Sequence, residues 1–457
     1  LSVVVLAAGQ GKRMHSRLPK VLQPLAGRPM LAHVLDRARA LGAAGIHVVY
    51  GHGGDAVRAA FPDKDLSWHE QEEQLGTGHA VAQALPAIPL DHCVLVLCGD
   101  VPLIGEAALS ALVAAADTST LALLTAELDD PSGYGRVQRG LDGSVVEIVE
   151  QTDATDDQLR IREINTGLLA APAAKLRDWI ARLDRRNAQG EYYLTDCVAL
   201  AVADGLNVIG VAVANPNEAL GINDRLQLAA AERSLQQRYA DALLRRGATL
   251  ADPARIDIRG ELEVGRDVFI DINTVFLGKV VLGDGCRIGP QAVIRDSRLG
   301  PETLVHANSV IVGADIGAGC EIGPFARIRP ETRLAGGAKV GNFVEIKKSE
   351  IGEGSKVNHL TYIGDATIGR DVNVGAGTIT CNYDGANKHR TTIGDEVFVG
   401  SNVSLVAPIE IGAGATIGAG STLSKDAPAG ELTIARSRQS TVTGWKRPRK
   451  KPGATKE

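Results

Sequence analysis

Ile316-Gly317-Ala318-Gly319-Cys320-Glu321-Ile322-Gly323-Pro324-Phe325-Ala326-Arg327-Ile328 sets the rhythm that decides the fold: an aliphatic residue at every sixth position, usually followed by glycine. The run reads Val310, Ile316, Ile322, Ile328, Leu334, Val340, Ile346, and resumes as Ile393, Val399, Leu405, Ile411, Ile417, Leu423. A helix repeats every 3.6 residues and a strand every two, so neither produces this period. A six-residue period is the signature of a parallel β-helix, where three hexads make one triangular coil and each coil stacks on its neighbours. The aliphatic residue points into a narrow core. Four positions later a small residue is expected to face inward too: Cys286, Cys320, Ala326, Ala338, Ala415, Ser421. Such a core has little room for rings, in keeping with an aromatic content of 4%.

At 457 residues the chain is expected to form two or more domains. A net charge of −5 provides no bulk basic field for nucleic acid. No apolar run approaches the roughly 20 residues that span a bilayer, so neither nucleic acid nor membrane is an expected partner. Leu1 to Leu6 is apolar, but no basic segment precedes it, and it reads as a buried strand rather than a signal peptide. Six cysteines lie scattered without a CxxC pair, which points to reduced thiols and a cytoplasmic location. Cys286 and Cys320 fall in small-residue slots of the repeat, where packing is their expected role.

Upstream the pattern changes. Ser2–Leu6, Ile46–Tyr50, Val94–Leu97 and Leu121–Ala126 are strand-like, and Pro29–Leu41 has helical spacing. This alternation predicts an α/β domain with a mostly parallel sheet, a Rossmann-like arrangement, over residues 1–225. A helix free of Gly and Pro follows, with Leu226, Ala229, Ala230, Leu235, Tyr239, Ala242 and Leu243 on one expected face. It is read as a linker over 226–248, ended by Gly247. The β-helix is expected over 249–437, broken once between Ile379 and Ile393 by an outward loop. A basic tail over 438–457, with Lys446, Arg447, Arg449, Lys450 and Lys451, is expected to be mobile.

In open α/β sheets, ligands bind beyond the carboxyl ends of the strands. The first strand ends at Leu6-Ala7-Ala8-Gly9 and the third at Cys98-Gly99-Asp100. Glycines 9 and 11 let backbone N–H groups approach phosphate oxygens, and Lys12, Arg13 and Lys20 bring positive charge. Asp100, at a strand end beside phosphates, suits Mg²⁺, although an Asp after Gly is also common in plain turns. Gln74-Leu75-Gly76-Thr77-Gly78-His79-Ala80 is a second polar turn, and His79, without a partner at ligand spacing, is read as structural.

The string Gly9-x-Gly11-x-Arg13-Met14, Pro19-Lys20-Val21-Leu22 and Gly27-x-Pro29-Met30 resembles sugar-nucleotide pyrophosphorylases. Joined to a hexapeptide solenoid, the chain is similar, end to end, to bacterial bifunctional N-acetylglucosamine-1-phosphate uridyltransferase/glucosamine-1-phosphate acetyltransferases. The most specific stretches are Asp130-Pro131-Ser132-Gly133-Tyr134-Gly135-Arg136, Glu163-Ile164-Asn165-Thr166-Gly167, Asn187-Ala188-Gln189-Gly190-Glu191-Tyr192-Tyr193, Gly341-Asn342-Phe343-Val344-Glu345-Ile346-Lys347-Lys348 and His359-Leu360-Thr361-Tyr362.

The resemblance implies roles. Leu6, Ala7, Ala8 and Gly9 line the nucleotide pocket, with Gln71, Gly76 and Thr77 at the uracil. Arg13 and Lys20 contact phosphates and serve catalysis; Asp100 and Asn223 hold Mg²⁺; Gly135, Glu150 and Asn165, with Gly99 close by, bind the N-acetylglucosamine part. The family often has Thr in the slot occupied here by Lys12. In the solenoid, His359 is the implied general base, oriented by Glu345. Arg329, Lys347 and Lys388 grip the sugar phosphate, Tyr362 and Asn373 complete the acceptor pocket, and Asn382 and Tyr383 contact the acetyl group. Ala376, Ser401, Ala419 and Arg436 bind coenzyme A. The implied co-substrates are acetyl-CoA and UTP. The implied solenoid is left-handed, and the implied assembly a homotrimer with acetyl sites at subunit boundaries.

Two other readings fit such an architecture: a uridyltransferase whose solenoid only assembles it, and a non-catalytic regulatory subunit. The first predicts erosion of the His359 and Arg329 sets, the second erosion of Arg13, Lys20, Asp100 and Asn223. All of these residues are present.

Overall fold

The computed structural model describes residues 1–449. The Lys450 and Lys451 end of the expected tail lies outside the described residues. The chain divides into two compact units, Leu1–Ala240 with Ile258–Gly260, and Asp241–Asp257 with Glu261 onward.

The first unit is built on a nine-stranded sheet. Its strands are β1 (Ser2–Ala7), β2 (Gly45–Tyr50), β3 (Leu66–Glu70), β4 (Cys93–Cys98), β5 (Thr120–Glu127), β6 (Arg136–Arg139), β7 (Val145–Val149), β8 (Glu163–Pro172) and β9 (Asn207–Ala212). The main order is β9-β5-β8-β4-β1-β2-β3, with β6 and β7 attached through β8. β1, β2, β3 and β4 are parallel neighbours, whereas β8 runs antiparallel to β4 and β5. The expected mostly parallel sheet therefore carries one inserted antiparallel strand and a hairpin, β6–β7. Alternate residues of a strand face opposite sides. In β1, Val3 and Val5 join a core with Leu31, Leu35 and Leu97, while Val4 joins the other with Val81, Leu176 and Trp179. Both faces are covered, which is why β1 and β4 read as continuous apolar runs.

The helix Arg225–Arg245 bears out part of the expected face, with Leu235 and Leu243 buried and Tyr239 packed against the core, but also buries Leu228 and Ala231, which the spacing did not mark. Leu228, Ala231 and Leu235 are buried against Met14, Leu25, Met30 and Leu103, with Tyr239 packed beside them. Leu226 is 84% exposed, and Ala229, Ala230 and Ala242 are exposed too. Alanine is tolerated on either face, so its spacing carried no phase information. Gln236 is buried and pairs with the backbone of Ile258 through both amide atoms, at 2.8 Å each. Gly247, at φ +92°, ends the helix, and the N–H of Ala248 reaches the Leu243 carbonyl at 3.1 Å.

The second unit is the expected parallel β-helix. One side forms an 11-stranded sheet, and the other two sides are joined as a 16-stranded sheet. Successive coils pair in parallel, as in Arg327↔Glu345 and Arg333↔Glu350. The inward ladder Ile316, Ile322, Ile328, Leu334, Val340, Ile346 is buried, as are the small residues Cys286, Cys320, Ala326, Ala338, Ala415 and Ser421. Two positions depart from the hexad reading. Ile311, not Val310, points inward, and Ile379 is 45% exposed between buried Thr378 and Thr380. Some sides use five residues instead of six, as between Ile311 and Ile316 or Ile346 and Ile351, so the phase slips there. The interruption is an outward loop: Ile368 pairs with Ile393 in the next coil, and residues 382–389 project between them.

Candidate active sites

In the first unit, three backbone bonds draw distant segments together at the carboxyl end of the sheet. The N–H of Gly99 bonds the Leu6 carbonyl at 2.9 Å, joining the ends of β1 and β4. The N–H of Ile222 bonds the Asp100 carbonyl at 2.9 Å, which brings Asn223 beside Asp100. The N–H of Gln71 bonds Tyr50, at the end of β2, at 2.8 Å.

Lys20 completes the cluster. Its Nζ lies 2.5 Å from Asp100 Oδ2 and 3.1 Å from Asn223 Oδ1. Two side-chain oxygens thus converge on one cation, and their donor chemistry fits a hard divalent ion as well as an ammonium. No group of three or more His, Cys, Asp or Glu able to hold a metal exists among the described residues. A two-oxygen site matches Mg²⁺, which keeps several waters and takes its other ligands from substrate phosphates.

Two adjoining cavities surround this point. One, about 230 Å³, is lined by Leu6, Ala8, Gly9, Gln71, Gly76 and Thr77, with Gln74, Ala80 and Glu191. The other, about 470 Å³, is lined by Gln10, Gly11, Lys12, Arg13, Lys20 and Asn223, again with Gln74 and Glu191. The first suits a flat base and the second, rich in cations, suits phosphates. Ala7 packs its side chain into the core. Gly76 cannot be substituted without strain, since its φ is +108° and an added Cβ would lie 2.6 Å from the Tyr192 carbonyl. The Thr77 hydroxyl accepts from the N–H of Leu194 at 3.0 Å. His79 is held by Gln71 and Gln83 at 3.1 Å each, in accord with a structural role.

The implied sugar residues also meet. The N–H of Asn165 bonds the Gly135 carbonyl at 2.9 Å, and Glu150 lies where a Cβ on Gly135 would touch it at 3.3 Å. Burial raises the Glu150 carboxyl above its usual range, while a hydrogen bond from Thr195 at 3.1 Å opposes the rise. Burial pushes the Cys98 thiol up to about 12, so it stays protonated. Gln74 and Glu191 were missed. Gln74 donates to the Ala8 carbonyl at 2.9 Å and lines both cavities. Glu191 stands in the specific string 187–193, which was the available signal. Buried Arg136 was missed too; its guanidinium donates to the Tyr134 carbonyl and so holds the turn that carries Gly135.

In the second unit, His359 ends the strand Lys356–His359 and is exposed. Its Nδ1 lies 2.9 Å from Asn342 Oδ1, one coil earlier in register. An amide oxygen can only accept, so Nδ1 donates in this pair, which in the neutral imidazole leaves Nε2 as the acceptor. The implied orienter, Glu345, is engaged elsewhere: it accepts from Arg329 at 2.8 Å and pairs with Arg327 at 3.6 Å. Within the chain the partner of the imidazole is Asn342. An open cavity of about 510 Å³ adjoins His359, lined also by Asn342, Lys339 and Glu321.

His359 belongs to a ladder. The N–H of Gly377 bonds the His359 carbonyl at 3.4 Å, that of Asn402 bonds Ala376 at 2.7 Å, and that of Gly420 bonds Ser401 at 2.8 Å. Arg436 donates to the Ala419 carbonyl at 2.5 Å. Ala376, Ser401 and Ala419 therefore rise coil by coil from His359 along one corner, each step about 4.8 Å, and the Arg436 side chain reaches the last of them. Small residues leave space for an elongated ligand, and an arginine closes the far end.

The acceptor residues do not all meet within one chain. Asn373 lies on the His359 sheet, paired with Lys356 and Phe398. Arg329, Lys347 and Tyr362 lie on the next side, beyond the corner formed by Phe325, Phe343 and Leu360. Asn382, Tyr383 and Lys388 sit on the outward loop; Asn382 is buried and donates to Asp365.

Fold and sites define a nucleotidyltransferase joined to a hexapeptide-repeat transferase. The family models agree: a MobA-like NTP transferase domain matches residues 3–192, and bacterial transferase hexapeptide repeats match 262–296 and 390–425. The chain is 58% identical to the bifunctional protein GlmU of Marinobacter nauticus, over 98% of this chain and 99% of that protein. It is 59% identical to GlmU of Alkalilimnicola ehrlichii, over 99% and 97%, and 58% identical to that of Chromobacterium violaceum, over 99% of each. The chain belongs to the GlmU family of bifunctional enzymes. It has a uridyltransferase half and a left-handed β-helix acetyltransferase half, and serves UDP-N-acetylglucosamine synthesis.

Proposed function

We propose that the solenoid first acetylates glucosamine 1-phosphate and that the α/β unit then uridylylates the product. In the first step the sugar amine attacks the thioester carbonyl of acetyl-CoA. His359 Nε2 takes the amine proton, and coenzyme A leaves as the thiol(ate). Arg329, Lys347 and Lys388 hold the sugar phosphate, with Tyr362 and Asn373 around the ring. Asn382 and Tyr383 meet the acetyl group, and coenzyme A runs along Ala376, Ser401 and Ala419 to Arg436. The observation that carries this reading is the ladder from Asn342 and His359 to Arg436.

In the second step a phosphate oxygen of N-acetylglucosamine 1-phosphate attacks the α-phosphorus of UTP, and pyrophosphate departs. No protein nucleophile is needed; alignment and charge compensation do the work. Gly135, Glu150 and Asn165 align the sugar, and Gln71, Gly76 and Thr77 align the base. Asp100 and Asn223 would hold Mg²⁺, which would neutralise phosphate charge. Lys20, which shares those oxygens, and Arg13 turn toward the triphosphate.

A homotrimer completes the acetyl site. Phe325, Phe343 and Leu360 are 49%, 56% and 64% exposed in consecutive coils, beside Asn342 and His359. The two rings stack with centroids 5.3 Å apart. An apolar strip of this kind, between two half-sites, supports association with further copies. Scattering should report a trimer whose acetyl transfer falls on dilution; a fully active monomer would rule it out. No described helix is long and apolar enough to cross a membrane, and with the free thiols this supports a cytoplasmic enzyme acting on small molecules.

The boundary between activities is tested by truncation. A chain ending after Gly260 keeps the Gln236–Ile258 pairing and should retain pyrophosphate release while losing CoA release. Retained CoA release would refute the assignment of acetyl transfer to the solenoid.

A further inference from the structure

The outward loop is organised by one side chain to which the family resemblance gives no role. Asp384 Oδ1 accepts from the N–H of Ala386 at 2.8 Å and of Asn387 at 2.7 Å. Its Oδ2 accepts from His389 Nε2 at 2.7 Å. Around this carboxylate the chain folds into a miniature hairpin, with Tyr383 and Lys388 bridged across it. Lys388 Nζ sits 4.6 Å from the centre of the Tyr383 ring, within cation–π reach. The Tyr383 hydroxyl donates to the Gly385 carbonyl at 2.6 Å, and the N–H of His389 closes the base on the Asn382 carbonyl at 2.9 Å.

We propose that Asp384 is a positioning residue for acetyl transfer, holding Tyr383 and Lys388 in one pose to receive the phosphate-bearing amino sugar. The inference rests on the acetyl-transfer reading of this loop. Asp384 acts through its neighbours and need not touch substrate. Hydrogen bonds from Asn387, His389 and Ala386 hold its carboxyl well below the usual carboxylate range, so the clasp stays ionised. Removing it leaves a loop on an exposed corner that must order when substrate binds, and that entropy loss appears as weaker binding.

The test compares Asp384→Ala with Asp384→Asn in the full chain, following CoA release at varied glucosamine 1-phosphate, with pyrophosphate release as a control for folding. Asparagine keeps an oxygen for both backbone N–H groups; alanine keeps none. Asp384→Ala should raise KM for glucosamine 1-phosphate about tenfold or more, with a smaller change in kcat, and Asp384→Asn should restore most of the loss. Unchanged KM in the alanine variant, a loss confined to kcat, or equal impairment of both variants would overturn the proposal. If Asp384→Ala does not fold, His389→Ala removes the Oδ2 contact alone: a severalfold rise in KM supports the clasp and an unchanged KM rejects it. Failure of the unsubstituted enzyme to release CoA would instead sink the acetyl-transfer reading itself.

Discussion

The two halves of this enzyme gather their functional side chains in opposite ways. The α/β unit collects Lys20, Asp100 and Asn223 from three remote segments, and backbone and side-chain bonds make them meet at the carboxyl end of the sheet. The solenoid delivers Asn342, His359, Ala376, Ser401 and Ala419 by repetition, one per coil along a corner. A convergent site fails when one anchor moves. A repeated site is straight and open, which suits a long ligand.

If the contrast is right, damage to one site should leave the other untouched. The largest effect is expected from His359→Ala, which should cut acetyl transfer about 10²–10⁴-fold at saturating glucosamine 1-phosphate. Acetyl-CoA binding and pyrophosphate release should persist, because residue 359 is outside the inward positions that Val357 and Ile363 fill. Near-normal CoA release would remove His359 as the base. Asp100→Ala takes away one of two convergent oxygens and should lower pyrophosphate release about 10²–10³-fold with CoA release unchanged. Equal loss of both activities would signal misfolding, and no loss would refute the metal role. Asn342→Ala frees the imidazole to rotate and should cost about tenfold in acetyl kcat, with little change in KM for acetyl-CoA. A Glu345→Gln variant with the larger kcat loss would restore Glu345 as the orienter.

The smallest effect separates the units by pH. Burial lowers the proton affinity of His33, His47 and His69, all in the α/β unit. His47 Nδ1 lies 3.0 Å from His69 Nε2, so charging both is opposed. Their folded-state values lie below the unfolded value near ~6.5, so the folded unit binds fewer protons than the unfolded chain. Its stability should be full above that pH and decline as pH falls through and below it. The solenoid's His306, His359 and His389 are not buried. Thermal unfolding between pH 7.5 and 5.5 should therefore lose the α/β transition first, and His69→Gln should flatten the slope. A slope unaltered by that substitution would exclude the histidine pair as its source.

Much of the solenoid was legible in advance because its pattern is local. Each coil repeats one geometry, so a six-residue period fixes which residues face inward. The reading slipped at Val310 and Ile379, where a side of the coil is one residue short or a threonine pair fills the core. The linker helix was legible as a helix but only partly in phase, since its alanines sit on both faces: Leu235 and Leu243 are buried as expected, but so are Leu228 and Ala231, while Leu226 and Ala229 are exposed. The family strings contain Gly135 and Asn165, the resemblance as a whole implied Glu150, and the structure brings the three together.

By itself, then, the sequence determined the two architectures, their order and the residue types at each site. Only tertiary structure decided who meets whom. Asn223 stands beside Asp100 because Ile222 bonds the Asp100 backbone, and His359 meets Asn342 rather than Glu345 because coil register places them one above the other. Periodicity is written by short-range geometry that every repeat obeys. Partnership between residues many positions apart depends on strand order and on the phase of each coil, and no local pattern encodes either.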